Sequence, residues 1–341
     1  MTQIPHLLEV KNLKTSFFTE DGEVKAVNDV SYHLDQGEVI AIVGESGCGK
    51  SITQLSVIQL VQSPPGKILG GEVIFDGQSL LQYKPTSKEM RAVRGAGIAM
   101  IFQEPMTSLN PVLTVGQQLS EVIKVHARVS KKEAWQRGIK ALEAVGIPDP
   151  AARMKNYPFE MSGGMRQRVM IATAVACNSK VLIADEPTTA LDVTTQAQVM
   201  ELLLDLVDSH GKSLIIITHN LGLVSRYAKR VYVMYAGKVV ESGTTEQLLT
   251  APKHPYTQGL LNSMPKLEGN KNDDLVPIQG APPRLNGLPD QCAFLPRCPA
   301  AQSRCADSPF PPLRTVGAQG HTAACHLAEM DAFTLIAGVR T

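Results

Sequence analysis

Short apolar runs separated by longer amphipathic stretches set the rhythm of this chain. Val39–Val43, Ile98–Phe102, Val181–Ala184 and Leu214–Ile217 are apolar throughout, the pattern of strands buried on both faces. Between them the apolar positions take a helical period: Leu119, Val122, Ile123, Val125, Leu142 and Val145 within Thr114–Val145, then Val169, Ile171 and Val175 in a run that starts at Ser162. Strands alternating with helices predict an α/β fold, a parallel sheet with crossover helices. The helices between Gln103 and Ser162 have no strand among them, which marks an inserted helical subdomain at about residues 104–178. The opening instead alternates polar and apolar positions, in Leu7–Val10, Glu23–Val27 and Val30–Leu34, with Gly22 and Gly37 as turns. This predicts an antiparallel β region, with Phe17 and Phe18 in the loop between its first two strands. One of these rings could stack on a purine base or simply anchor a hairpin end. Ser63–Gly66 reads as a turn, Gly71–Gly77 as a strand, and Val231–Met234 as a strand entering a hairpin at Ala236-Gly237.

From about Pro252 the helical period fades and Pro277, Gly280, Pro282, Pro283, Gly287 and Pro289 crowd in. The expected division is a main domain over residues 1–255 and a smaller loop-rich module over 256–341. A chain of 341 residues with 43% apolar and 19% charged residues suits a large soluble domain plus an appendage. Its formal net charge of +1 gives no sign of a broad nucleic-acid face or a polybasic membrane anchor. No apolar run approaches the roughly 18 residues that span a bilayer, so membrane work would need spanning helices from another chain. Met1–His6 has no basic, apolar leader pattern, so no signal peptide and a reducing compartment are expected.

The chemistry concentrates in three places. Gly44-Glu45-Ser46-Gly47-Cys48-Gly49-Lys50-Ser51 lies between the Val39–Val43 strand and the helical Ile52–Ile58, the strand–loop–helix context of a phosphate-binding loop. Its glycines allow close backbone approach to an anion, Lys50 can reach terminal phosphates, and the Ser51 hydroxyl can meet Mg²⁺. Val181–Ala184 ends in Asp185 and Glu186, one carboxylate suited to Mg²⁺ and one to orienting or deprotonating a water. Ser162-Gly163-Gly164-Met165-Arg166-Gln167 opens a helix with a serine cap and two glycines, a second anion-binding end.

These motifs, in this order, resemble an ATP-binding-cassette ATPase over roughly residues 7–264. The resemblance implies a P-loop NTPase fold, with Gly44–Ser51 as Walker A, Gln103 as the Q-loop glutamine, Ser162–Gln167 as the signature and Val181–Glu186 as Walker B. Thr189–Asp192 follows as the D-loop and His219 as the switch histidine, and Phe17 matches the aromatic that stacks on adenine. Met165 departs from the usual signature glutamine. The family implies two subunits paired head to tail, with ATP between one Walker A and the partner's signature. Ser51, Gln103 and Asp185 would hold Mg²⁺, Glu186 would polarise the water, and His219 would contact the γ-phosphate.

Phe102–Pro111, Asp185–Asp192, His254–Leu261 and Gly280-Ala281-Pro282-Pro283 are similar to the dipeptide and oligopeptide permease ATPases. That branch also serves nickel, glutathione and some oligosaccharides. It implies a paralogous ATPase partner, two integral membrane permeases, an external binding protein and a peripheral place on the cytoplasmic face of the membrane. A nucleic-acid-directed cassette ATPase is the weaker alternative, since no long coiled coil and no second cassette is present.

Cys48 and Cys177 stand alone and read as small fillers, although Cys48 could make the loop sensitive to alkylation. Cys292, Cys298, Cys305 and Cys325 form a C-x5-C-x6-C-x19-C set, which suits either tetrahedral Zn²⁺ or an iron–sulfur cluster. The resemblance implies [4Fe–4S] for it, with unmetallated thiols the plain alternative; a bound centre would be structural, since the module has little apolar content with which to build a core. His321 and His326, near Cys325, could replace a ligand or be solvated histidines.

Overall fold

The computed structural model describes residues 6–104, 108–188, 193–264, 277–317 and 320–328. They form two compact units, one from the described residues of Met1–Leu34, Val39–Leu81 and Thr218–Thr341, the other from Asp35–Glu38 and Gln82–Ile217. In chain order the strands are β1 (Leu8–Thr19), β2 (Gly22–Leu34), β3 (Val39–Val43), β4 (Gly66–Phe75), β5 (Gln78–Ser79), β6 (Ile98–Ile101), β7 (Val181–Asp185), β8 (Ser213–Thr218), β9 (Arg230–Tyr235), β10 (Lys238–Thr244), β11 (Arg314–Thr315) and β12 (Thr322–Ala323).

In the first unit, β2, β1, β4 and β5 make an antiparallel sheet in that order. The three alternating runs of the opening are in fact two long strands. Glu23–Val27 and Val30–Leu34 belong to one strand, broken in phase at Asp29, whose φ is +68°. The pairing slips between Val10 and Leu13 on the facing strand, and such an irregularity shifts the side-chain alternation so that one strand reads as two. Phe17 and Phe18 are therefore not in a loop. Both lie in β1, Phe17 opposite Val24 on one side and Gly66 on the other.

Beside this sheet, β3 runs parallel to β9, and β9 turns into β10 through Ala236 and Gly237. Both turn residues are left-handed, at φ +47° and +79°, the geometry that suits the twist of a tight hairpin. On its other side β10 pairs with β12, which pairs with β11. Residues beyond 255 share a core with the central strands: Val43, Val233, Tyr235, Tyr256 and Phe294 sit in one buried cluster.

In the second unit β8, β7 and β6 are parallel, with Ile98 beside Val181 and Val181 beside Ser213. β7 and β8 are buried along their whole length, as the apolar runs Val181–Ala184 and Leu214–Ile217 within them predict. Among the described residues, the stretch between β6 and β7 is helical and carries no strand: Val115–Ala127, Lys131–Ala144, Pro150–Arg153 and Gly163–Val175. Thr114 starts the first of these with a capping box closed by Gln117. Val125 lies off the buried stripe and is exposed, whereas Leu119, Ile123 and Leu142 are buried. No described helix is long and apolar enough to cross a membrane.

Candidate functional site

The loop Gly44–Ser51 leaves the end of β3, and its three glycines are required for two different reasons. A Cβ on Gly44 would lie 2.3 Å from the Met234 carbonyl oxygen, and one on Gly49 would lie 2.2 Å from that of Ala26. Gly47 has open space around it but a φ of +78°, which side chains resist. Lys50 is only 5% exposed, and its Nζ donates to the carbonyl oxygens of Gly44 (2.8 Å) and Glu45 (2.9 Å). The loop thus curls around its own cation. The helix it enters, Lys50–Val57, has no side-chain cap and no acid in its first turn, so its positive end stays uncompensated by side chains. That helix is pinned to the antiparallel sheet by Tyr32 Oη donating to Gln54 Oε1 (2.8 Å) and by the Thr15–Ser56 hydroxyl pair (2.8 Å). Cys48 is buried in the loop, and burial pushes its thiol pKa up.

Sequence reasoning missed what holds this loop from outside. Arg297 donates from Nη1 and Nη2 to the two carboxylate oxygens of Glu45, at 2.6 and 2.9 Å. The guanidinium side chain is 6% exposed, and it also donates to Tyr235 Oη (3.2 Å) and the Gln279 carbonyl (3.0 Å). Glu45 N–H in turn donates to Tyr256 Oη at 2.8 Å.

In the second unit, β7 delivers Asp185, which is buried, and Glu186, which is partly exposed. Glu186 has a left-handed φ of +44°, and its N–H donates to the Ile217 carbonyl at 2.9 Å. Gln103, at the end of β6, donates from Nε2 to Glu186 Oε2 at 3.0 Å, so two residues picked out separately in the sequence meet. Ser162 caps its helix by accepting from the Met165 N–H at 3.3 Å. The cap uses the backbone of residue 165, so methionine there leaves it intact. Gln167 donates to the Pro187 carbonyl at 2.8 Å, tying this helix to the turn after Glu186. Among the described residues, a Cβ on Gly163 would meet nothing within 4 Å, and one on Gly164 only the Thr195 methyl at 3.6 Å. Packing against the described residues requires neither glycine.

His219, in the first unit, is exposed between Thr218 and Asn220. Asn220 N–H donates to Thr218 Oγ1 (3.0 Å), and Asn220 Oδ1 caps the helix Leu221–Tyr227. Phe17 is half-buried, while Phe18 is 50% exposed. Thr189–Asp192, the expected D-loop, lies outside the described residues.

Cys292, Cys298, Cys305 and Cys325 are all free thiols and line one small cavity together with His254 and His326. Burial raises the Cys292 thiol, and lifts Cys298 to about 11 and Cys325 to about 12. No three of these sulfurs lie within 4.8 Å of one another. His254 Nδ1 accepts from the Tyr256 N–H at 3.1 Å, and burial drives the ring down to about 4, so it is neutral. His321 is not a solvated histidine: it is buried against Glu241, Nε2 to Oε1 at 2.8 Å. The same Glu241 carboxylate accepts the N–H groups of Lys253 (2.7 Å) and His254 (2.9 Å). Cys177 is half-buried, and burial raises it to about 11.

Two family models match the chain: ABC transporter over residues 27–189, and oligopeptide/dipeptide transporter, C-terminal region, over 240–305. The oligopeptide transport ATP-binding protein AppD of Bacillus subtilis is 51% identical over 325 residues, covering 95% of this chain and 98% of that one. The dipeptide transport ATP-binding protein DppD of Escherichia coli is 47% identical over 326 residues, covering 96% and 98%. Among solved structures, the dimeric ATP-binding cassette MJ0796 bound to ADP and Pi matches with a TM-score of 0.62 at 27% identity, over 70% of this chain and 98% of that one. The chain belongs to the family of oligopeptide and dipeptide ABC-transporter ATP-binding proteins.

Proposed function

We propose that this chain hydrolyses ATP to power import of di- and oligopeptides through an ABC transporter. The observation that carries the hydrolytic reading is the Gln103–Glu186 hydrogen bond, which joins the Q-loop glutamine to the carboxylate at the end of the Walker B strand. The peptide reading is supported by the 51% identity to AppD across 95% of the chain. Nickel, glutathione or oligosaccharide import by the same branch is the alternative. Reconstitution with membrane permeases and a loaded binding protein tests both. ATP hydrolysis should rise on adding peptide-loaded binding protein, with labelled peptide accumulating in the vesicles. Stimulation by nickel or glutathione alone would overturn the substrate.

In this reading the N–H groups of Gly44–Ser51 hold the triphosphate, and Lys50 releases its loop carbonyls to meet the terminal phosphates. Ser51, Gln103 and Asp185 hold Mg²⁺, and Glu186 orients and deprotonates the attacking water. His219 contacts the γ-phosphate, and Phe17 offers its ring to adenine. The work is positioning and charge stabilisation. Ser162, Gly163 and Gly164, with Asp192, serve the site of a partner subunit, and the lack of any described neighbour within 4 Å of a Cβ on Gly163 supports a ligand approaching there. The partner is a paralogous ATPase, docked with two permeases at the cytoplasmic face of the membrane. Residues 1–255 would be the nucleotide-binding domain, with a helical subdomain at about 104–178, and residues 256–341 the extension.

The four tail cysteines would ligate a [4Fe–4S] cluster, with Zn²⁺ the alternative. The donor set fits: four free thiols on one cavity, Cys305 buried and the other three half-buried, with buried Nε2 atoms of His254 and His326 that have no partner. A single tetrahedral Zn²⁺ with Zn–S of about 2.3 Å draws its sulfurs to within about 4 Å of one another, tighter than any trio here. The bound centre would supply a covalent tie between turns that have little apolar core of their own.

A further inference from the structure

We propose that His254 donates a hydrogen bond from Nε2–H to a sulfur of the centre held by Cys292, Cys298, Cys305 and Cys325. This rests on the reading that these thiols ligate a metal. The backbone N–H of Tyr256 donates to His254 Nδ1 at 3.1 Å, so Nδ1 carries a lone pair and the ring proton sits on Nε2. His254 is 1% exposed, and Nε2 is buried without a hydrogen-bond partner. A buried donor left unmade is costly, and the cavity that His254 lines is the one lined by the four cysteines. The Tyr256 bond to Nδ1 orients the ring, the backbone N–H of His254 is held by Glu241 Oε2 at 2.9 Å, and the Phe294 ring lies 6.0 Å from the imidazole, centroid to centroid.

A protonated thiol accepts hydrogen bonds weakly, whereas a metal-bound thiolate or a bridging sulfide carries the negative charge that Nε2–H needs. His254 therefore gains its partner when the thiols lose their protons to a metal. N–H donors to sulfur stabilise the more negative, reduced state of a cluster and raise its potential. His326 Nε2 is also buried and unpartnered on this cavity, but no bond fixes its tautomer.

The test uses the full chain purified anaerobically, with iron, acid-labile sulfide and zinc measured first. His254→Phe keeps a ring and removes the donor. His254→Asn keeps a side-chain acceptor for the Tyr256 N–H but is too short to replace Nε2. With iron and sulfide retained, a redox titration should show a lower midpoint in both variants, on the order of a tenfold loss in the reduction equilibrium, or about 59 mV for one electron. An unchanged midpoint at full cluster content overturns the inference while the cluster reading stands. If zinc is found, both variants should release it to a chelator severalfold faster, and unchanged release overturns the inference. If the wild-type chain holds neither metal, the cysteine reading fails and the inference falls with it. Should His254→Phe not fold, His254→Asn decides.

Discussion

Arg297 grips Glu45 through both of its terminal nitrogens, across 252 residues of sequence. The second residue of the phosphate-binding loop is thus fastened by the turn that runs from Cys292 to Cys298. Two parallel charge-assisted bonds are stronger and more directional than a single ion pair.

Replacing either partner should therefore loosen the loop. Arg297→Gln or Glu45→Gln is expected to cost on the order of 1–3 kcal/mol in denaturant unfolding. The arginine change should cost more, since its bonds to Tyr235 and Gln279 are lost too. A double-mutant cycle measures the coupling. A coupling near zero would show that the pair is bystander geometry.

Two glycines offer opposite outcomes. Gly49→Ala drives a Cβ into the Ala26 carbonyl at a left-handed φ, so it should destabilise the chain by several kcal/mol or prevent folding. Gly163→Ala meets nothing among the described residues, so its melting temperature should stay within a few degrees of wild type. ATP turnover with the partner subunit should nonetheless collapse. Full turnover in Gly163→Ala would contradict the signature role.

Glu186→Gln should keep ATP binding while turnover falls by about 10²–10⁴-fold, the range for a lost general base. Equilibrium binding of a fluorescent ATP analogue and phosphate release read the two quantities separately. Turnover equal to wild type would remove Glu186 from its role.

Cys48 should resist alkylation although it lies inside the phosphate-binding loop. It is buried, and burial raises its thiol pKa, so little thiolate is present or reachable at neutral pH. Mass spectrometry after iodoacetamide should find Cys48 unmodified in the native chain and modified after denaturation. Rapid native labelling would refute this.

Much of this was legible in the sequence because the parallel strands β3, β6, β7 and β8 are each built on an unbroken apolar run of four or five residues and the loops after them carry the motifs. The antiparallel opening was less so. Asp29 and the slip between Val10 and Leu13 break the period-two signal, which moved Phe17 and Phe18 into a loop they do not occupy. The Gln103–Glu186 contact follows from parallel neighbours β6 and β7 ending side by side, a relation spacing alone does not give. The Arg297–Glu45 pair and the buried His321–Glu241 pair join distant segments, and no local pattern encodes such contacts.

The pairing of β12 with β10 has a consequence for handling the protein. Glu241 and Ser242 face Ala323 and Thr322, and the Ala324 N–H donates to the Val240 carbonyl at 2.8 Å. A chain cut before Arg314 would bare that row of peptide groups, a template on which a second molecule's strand can add. Tail truncation should therefore yield a sticky, self-associating cassette even where every nucleotide-binding residue is intact.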